Sequence, residues 1–182
     1  MELFEYAKVG EPAPYFSMVS TKNLDTLDET VSLDDYKGQW LILFFYPYDF
    51  SIVCPTEILA LSEGYEEFKA LNTEILGVCT DSIHSHRAWL NIPEDENGIA
   101  GTKFPLASDS THQVSEAYGV LVEEKGAALR GLFIIDPQGI LQYSVIHNLD
   151  IGRSVDETLR VLEALQAGGL CGANWQPGDD TL

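Results

Sequence analysis

Residues 40–57 read Trp40-Leu-Ile-Leu-Phe-Phe-Tyr-Pro-Tyr-Asp-Phe-Ser-Ile-Val-Cys-Pro-Thr-Glu57, and this stretch decides the fold that the sequence predicts. The almost continuously apolar run from Trp40 to Tyr46 is typical of a central β-strand covered on both faces. A short loop follows, and Pro55 suits the first turn of a helix. Cys54 is thereby placed at a helix N-terminus, where unpaired N–H groups and the helix dipole stabilise a thiolate. The stretch therefore predicts a strand, a nucleophilic cysteine and a helix, the alternative for Cys54 being a small buried apolar residue.

Length and charge limit the classes of protein. The 182 residues are enough for one domain with a full hydrophobic core, and no apolar run approaches the roughly 20 residues of a membrane span. Ten basic residues against 29 acidic ones give a net charge of −19, which excludes nucleic acid and anionic membranes as partners, since both require clusters of Lys and Arg. The start, Met1–Glu5, lacks the basic and apolar segments of a signal peptide, so we expect a cytoplasmic protein.

The order of elements predicts the fold class. Pro137-Gln138-Gly139 is a turn between two apolar runs, which predicts an antiparallel hairpin. Strand and helix alternate before this hairpin, and one helix follows it. The order predicts a three-layer α/β arrangement with a central mixed sheet flanked by helices, compatible with a thioredoxin-like fold. The predicted strands are 41–46, 74–80, 131–136 and 141–146; the predicted helices are 55–71 and three that begin near Ser82, at Ser110 and at Ser154. We expect one domain over residues 1–167 and an irregular C-terminal tail over residues 168–182.

The three cysteines predict redox chemistry in which the partner thiol lies far from Cys54 in the sequence. Cys54, Cys79 and Cys171 are too few to form a disulfide framework. A thioredoxin-type reductant has a second cysteine three residues after the first, but here Glu57 takes that position. An oxidised Cys54 must therefore wait as a sulfenic acid or meet a distant thiol. Cys171, in the glycine-rich tail, is a candidate for that thiol; the alternative is an inert C-terminal cysteine.

Three further residues are candidates for the same site. Ser51 can hydrogen-bond a thiolate or an incoming oxygen, or it can serve the turn of its own loop. Pro47 stiffens the loop where the strand ends. Arg130 begins a very apolar strand, where an isolated charge is costly unless it is paired. A guanidinium beside Cys54 stabilises a thiolate and a developing oxygen charge, and a solvent-facing strand end is the alternative for Arg130.

A metal site is not predicted. The spacing of Cys79, His84 and His86 matches none of the common zinc frames. Two histidines two residues apart on a helix also point in different directions. We expect Cys79, at the end of an apolar strand, to belong to the core.

The chain resembles a typical 2-Cys peroxiredoxin of the alkyl hydroperoxide reductase C type. Pro47, Ser51 and Cys54 fit the family's active-site pattern, Pro-x-x-x-Thr/Ser-x-x-Cys, and further blocks occur in the family's order along nearly the whole chain. These blocks are Gly10–Phe16, Thr80–Ser82, His86–Trp89, Arg130–Asp136, Gly152–Leu159 and Cys171–Trp175.

The resemblance implies a thiol-specific peroxidase that reduces hydrogen peroxide and organic hydroperoxides. Cys54 is implied to form the sulfenic acid in a pocket shaped by Pro47, Ser51 and Arg130, with Glu57 and Arg153 holding Arg130. Cys171 of a partner subunit is implied to condense with it. No metal, haem or flavin cofactor is implied in this chain.

The resemblance also implies partners for the chain. They are a thioredoxin-like protein or flavoprotein disulfide reductase as reductant, and further copies of the chain in a homodimer and a ring of five dimers, a decamer. Alternative roles are a redox-regulated holdase chaperone or a peroxide-signalling module.

Two departures from the family pattern affect these expectations. Gly172 follows Cys171 where a proline is common, which loosens the tail. Gly98-Ile99-Ala100-Gly101 replaces the Gly-Gly-Leu-Gly motif of easily overoxidised members, and the chain ends without a Tyr-Phe helix. We therefore expect resistance to conversion of Cys54 to the sulfinic acid.

Overall fold

The computed structural model describes residues 6–182, so the expectation drawn from Met1–Glu5 lies outside the described residues. The strands are β1 Ser17–Ser20, β2 Thr30–Ser32, β3 Trp40–Phe45, β4 Thr73–Cys79, β5 Leu106–Ser108, β6 Leu121–Val122, β7 Ala127–Ala128, β8 Arg130–Ile135 and β9 Leu141–His147. The α-helices are α1 Val53–Glu63, α2 Tyr65–Ala70, α3 Ile83–Leu90, α4 Gln113–Ala117 and α5 Val155–Ala167.

The strands form a seven-stranded mixed sheet in the order β2-β1-β5-β4-β3-β8-β9. β3, β4 and β5 run parallel to one another. β8 lies antiparallel between β3 and β9, which confirms the predicted hairpin. The remaining two strands, β6 and β7, form a separate ribbon.

The central strand β3 separates two hydrophobic layers. Leu41, Leu43 and Phe45 pack on the side that carries α4, and Ile42 and Phe44 pack on the side that carries α1 and α5. All five side chains are fully buried, which explains why this strand is apolar at every position. The predicted three-layer arrangement with a mixed sheet is confirmed.

Some predicted boundaries differ from the structure. The run 55–71 is two helices that meet at Gly64. The strands β1, β2 and β5 were not predicted, because three or four residues are too short to show a period.

The start of α4 was predicted wrongly. This helix begins at Gln113 rather than at Ser110, because the Asp109 carboxylate accepts the N–H groups of Val114 and Ser115 at 3.1 and 2.7 Å. An aspartate thus supplies the hydrogen bonds that the sequence assigned to a serine capping box.

The start of α5 was predicted correctly. Ser154 Oγ accepts the N–H of Glu157 at 3.1 Å, and the helix ends at Ala167, where Gly168 takes a left-handed conformation with φ of 72°.

The antiparallel pairing of β3 and β8 positions the candidate site. Because Phe44 lies opposite Leu132, the end of β3 and the start of β8 lie side by side at the same end of these two strands. Arg130 therefore lies beside the loop that leads from β3 to Cys54.

Candidate active site

Cys54 lies in the first turn of α1 and has no exposed surface. Its Sγ is 3.2 Å from Nη1 of Arg130, which donates to it from the start of β8. The predicted helix N-terminus and the predicted guanidinium thus meet at one sulfur atom. Both favour negative charge on that sulfur, which is the state that acts as a nucleophile.

Arg130 is fixed on three sides. Its Nη1 also donates to Glu57 Oε1 at 2.7 Å, and its Nε donates to the Leu149 carbonyl at 2.6 Å. Only 3% of its side chain is exposed. A buried guanidinium with these partners cannot turn away from Cys54 without leaving polar groups unpaired.

Glu57 joins Arg130 to a second arginine. Nε of Arg153 donates to Glu57 Oε2 at 2.6 Å, and its Nη2 donates to Oε1 at 2.9 Å. Its Nη1 donates to the carbonyls of Phe45 and Gly131 at 2.7 and 2.5 Å, which ties the network to both β3 and β8. Burial alone raises the pKa of Glu57, but the hydrogen bonds and charge of Arg153, with the charge of Arg130, outweigh it and hold the pKa below its usual value. The carboxylate therefore stays ionised between two cations.

Pro47 and Ser51 lie in the loop that precedes α1. The Ser51 hydroxyl donates to the Tyr48 carbonyl at 2.8 Å, and the Ser51 carbonyl accepts Nδ2 of Asn97 at 3.0 Å. In this state the hydroxyl serves the turn of its own loop, which is the alternative that the sequence left open. Pro47 is buried, and its carbonyl lies 3.6 Å from Sγ of Cys79.

Cys171 lies in the tail and packs against α5. Its side chain is half-buried, and its Sγ is 3.7 Å from the Ala164 carbonyl. The tail is held to the same helix by Arg160, whose Nη1 donates to the Trp175 carbonyl at 2.9 Å. All three cysteines are free thiols, so Cys54 and Cys171 are not joined.

Sequence reasoning missed two buried residues beside the site, Asp49 and His86. Nδ1 of His86 lies 2.6 Å from Asp49 Oδ2, and both side chains have at most 1% exposure. His86 was considered only as a metal ligand, yet its two ring nitrogens face Asp49 and the Ala107 carbonyl. The usable signal was an aspartate among apolar residues of the loop, because an acidic side chain that becomes buried there requires a partner.

Comparison with known proteins places the chain in a family. The sequence matches the AhpC/TSA family over residues 9–144, so the chain belongs to that family. It is 53% identical over 174 residues to a putative peroxiredoxin in the rubredoxin operon of Clostridium pasteurianum, covering 96% of this chain and 98% of that protein. It is 54% identical over 179 residues to the putative peroxiredoxin YkuU of Bacillus subtilis strain 168, covering 96% and 97%.

Solved structures show the same likeness. The reduced 2-Cys peroxiredoxin of Plasmodium vivax matches with a TM-score of 0.90 and 40% identity, covering 95% of this chain and 91% of that one. Mycobacterium tuberculosis AhpC matches with a TM-score of 0.81 and 35% identity, covering 94% and 99%. The thioredoxin-like fold is thereby confirmed, and the chain is a peroxidase enzyme of the peroxiredoxin class.

Proposed function

We propose that Cys54 is the thiol that attacks the hydroperoxide, and that Arg130 stabilises the charge that moves during the attack. The contact of 3.2 Å between Arg130 Nη1 and Cys54 Sγ carries this assignment. Glu57 and Arg153 hold Arg130 in place, while Pro47 and Ser51 form the loop side of the pocket. Rotation of the Ser51 hydroxyl away from the Tyr48 carbonyl makes it available to the peroxide.

The reaction follows from these positions. The Cys54 thiolate attacks the distal oxygen of hydrogen peroxide or an organic hydroperoxide, a sulfur–oxygen bond forms, and the oxygen–oxygen bond breaks. The leaving oxygen takes the bonding electron pair and, through the solvent, the proton that the Cys54 thiol released on ionising, and it departs as water or an alcohol. Arg130 lowers the barrier because charge develops on oxygen next to a fixed guanidinium. The product is the Cys54 sulfenic acid.

Resolution uses Cys171 of a second subunit. The thiol of Cys171 attacks the sulfenic sulfur, a disulfide forms, and one water molecule leaves. Because Cys54 is fully buried, a protein thiol reaches it only after the first turn of α1 unwinds. Residues 168–182 act as the tail that carries Cys171 out of its contact with α5, and residues 1–167 form the domain that attacks the peroxide.

Two surfaces support assembly into dimers and rings. β9 lies at the edge of the sheet, so its outer backbone groups are available to the same strand of a second copy. Next to the active-site loop, Tyr48, Phe50 and Ile52 expose 39%, 50% and 81% of their surface. We assign β9 to the dimer interface and this apolar group to contacts between dimers in a ring of five.

The remaining assignments concern reductant and compartment. A thioredoxin-like protein or a flavoprotein disulfide reductase returns the disulfide to two thiols, since the chain has no local dithiol. We assign the enzyme to the cytoplasm, where free thiols persist. Within residues 6–182, none of the helices has the length and apolar content that crossing a bilayer requires.

A trapping experiment tests the Cys54 assignment. In the Cys171→Ser variant, one equivalent of peroxide should leave a sulfenic acid that a dimedone-type reagent captures, and mass spectrometry of the peptides should place the adduct on Cys54. Cys79→Ser in the same background is the control and should give the same adduct. An adduct on Cys79 in the presence of an intact Cys54 contradicts the assignment.

A further inference from the structure

The active-site loop, Pro47–Ser51, is held in place from outside. The Asp49 N–H donates to Asp81 Oδ2 at 2.8 Å, and Asn97 donates to the Ser51 carbonyl at the other end of the loop. Two of its apolar side chains, Tyr48 and Phe50, are 39% and 50% exposed, so they are only partly packed against the core. Phe50 has a φ of 56°, a left-handed conformation that costs free energy in a bulky residue. Such a loop needs external contacts to keep a single arrangement.

The most buried of these contacts is the Asp49–His86 pair. Asp49 Oδ1 accepts the Tyr46 hydroxyl at 2.8 Å, and Asp49 Oδ2 faces Nδ1 of His86 at 2.6 Å. His86 is fully buried on α3, and the buried Tyr46 directly follows the central strand β3. We call Tyr46, Asp49 and His86 the loop clamp.

The geometry of the clamp requires one shared proton. Nε2 of His86 faces the Ala107 carbonyl at 3.1 Å, and a carbonyl can only accept, so Nε2 carries hydrogen. A second acceptor, the Asp49 carboxyl, faces Nδ1. One proton must therefore lie between Nδ1 and Oδ2, because two facing lone pairs in a buried site repel. The pair then has no net charge and binds the loop to α3 without an unpaired buried ion.

Cys79 and Asp81 are the other ionisable groups packed against the clamp. Burial, followed by the charges of Asp49 and Asp81, raises the pKa of the Cys79 thiol well above its usual range. Cys79 thus stays a thiol, with its Sγ 3.6 Å from the Pro47 carbonyl and 3.4 Å from Asp81 Oδ2. Asp81 Oδ2 also accepts the Asp49 N–H, so the potential metal ligands of this cluster are engaged with one another.

We propose that the loop clamp sets the balance between the two half-reactions at Cys54: closed, it holds the loop for attack on peroxide, and released, it lets the first turn of α1 unwind for disulfide formation. Asp49 is the positioning residue, since it lies two residues before Ser51 and five before Cys54. The proposal rests on the assignment of Cys54 as the attacking thiol. It predicts that weakening the clamp slows oxidation of Cys54 and speeds formation of the disulfide.

Single-turnover kinetics with matched variants test the proposal. Trp89 reports on the loop, because its ring lies 5.8 Å from that of Phe50 between centroids. In His86→Gln the amide reaches towards Ala107 but leaves Asp49 Oδ2 without the partner that it has in the wild type. The first phase, oxidation of Cys54, has a rate that depends on the peroxide concentration. We expect this rate to fall about tenfold, since small misplacements of reacting groups carry costs of this size or greater. The second phase, disulfide formation, has a rate that does not depend on the peroxide concentration, and it should become faster in this variant. His84→Gln, an exposed change on the same helix, should match the wild type in both phases.

Two further variants separate the clamp from general loss of stability. His86→Asn places an amide donor near the position of Nδ1 and should restore the oxidation rate relative to His86→Gln. Tyr46→Phe removes only the hydroxyl and should shift both phases in the same directions by smaller factors. The proposal is overturned if folded His86→Gln or Tyr46→Phe leaves both phases unchanged, or if it slows both phases together.

A measurement on the unaltered enzyme tests the shared proton. Spectra of protein labelled with ¹⁵N-histidine should show hydrogen on Nε2 of His86 and a shared or full proton at Nδ1. A free lone pair at Nδ1 overturns the clamp. If the wild type shows no peroxide-dependent phase that needs Cys54, the assignment of Cys54 fails instead, and the two failures are thereby distinguishable.

Discussion

Glu57 is the acidic residue of the described site that lies between its two buried arginines. Its carboxylate accepts from both Arg130 and Arg153, and all three side chains are at least nine-tenths buried. Two buried cations share one anion, so removal of that anion leaves them uncompensated. The sequence carried a signal for this residue only through the family resemblance, because a glutamate near the start of a helix is ordinary by composition.

The first prediction concerns stability and pH. Glu57→Gln should lower the free energy of unfolding at neutral pH by about 3 kcal/mol, since it leaves buried guanidinium groups without a counter-charge. The native pKa of Glu57 lies below its usual 4.5, so as the pH falls the unfolded chain takes up the proton first. The stabilisation is therefore complete above that usual value and is lost as the pH falls through the native pKa.

Denaturant unfolding at a series of pH values checks this sign. The difference between wild type and Glu57→Gln should be largest at neutral pH and should shrink as the solution becomes acid. Glu163→Gln, a partly exposed change on α5, is the control and should show a small difference throughout. A difference for Glu57→Gln that stays constant across the acid range is incompatible with this account of the carboxylate.

The second prediction concerns Arg130. Arg130→Lys keeps a positive charge but loses the fork that reaches Cys54 and Glu57 together. The second-order rate constant of peroxide attack should fall by about 100-fold, the scale seen when one fixed donor to a developing oxyanion is lost. Stopped-flow oxidation measures this constant, and Arg87→Lys, on α3, is the control. An Arg130→Lys rate within a factor of two of wild type leaves the guanidinium without the proposed role.

At the scale of elements, long apolar runs were predictable, and strands of two to four residues were not. β3 and β8 have six residues each and are buried at nearly every position, so composition alone identified them. β5 has three residues and is held by pairing with β4, which no local pattern reveals. The active-site contact has the same origin: Arg130 and Cys54 are 76 positions apart, and only the antiparallel register of β3 and β8 brings them together.

The third prediction concerns the edge strand β9. Ile146 is 44% exposed on this strand, and pairing of two copies would bring equivalent positions close to each other. Ile146→Glu should therefore weaken the dimer, because it places like charges across the interface of a chain whose net charge is already −19. Sedimentation velocity over a concentration series should show a shift towards monomer. Leu24→Glu, an equally large change near the opposite edge of the sheet, should leave the dimer intact; an intact dimer in Ile146→Glu argues against pairing through β9.

At the scale of the whole molecule, the proposed cycle needs a second copy of the chain. Cys54 is buried within the first turn of α1, and Cys171 is held on α5 with the tail around Trp175. The family, the fold and the peroxidase class follow from residues spread along the chain, which is why the sequence predicted them. The pairing that we propose for the two thiols depends on contacts between subunits, which neither the sequence pattern nor a single chain displays.

The central claim is that Cys54 and Cys171 of two subunits form one disulfide in each catalytic cycle. The most direct measurement is a non-reducing gel of protein treated with one equivalent of peroxide. We predict a disulfide-linked dimer in the wild type and in Cys79→Ser, and its loss in both Cys54→Ser and Cys171→Ser. A linked dimer that persists in Cys171→Ser, or one that requires Cys79, would contradict the account.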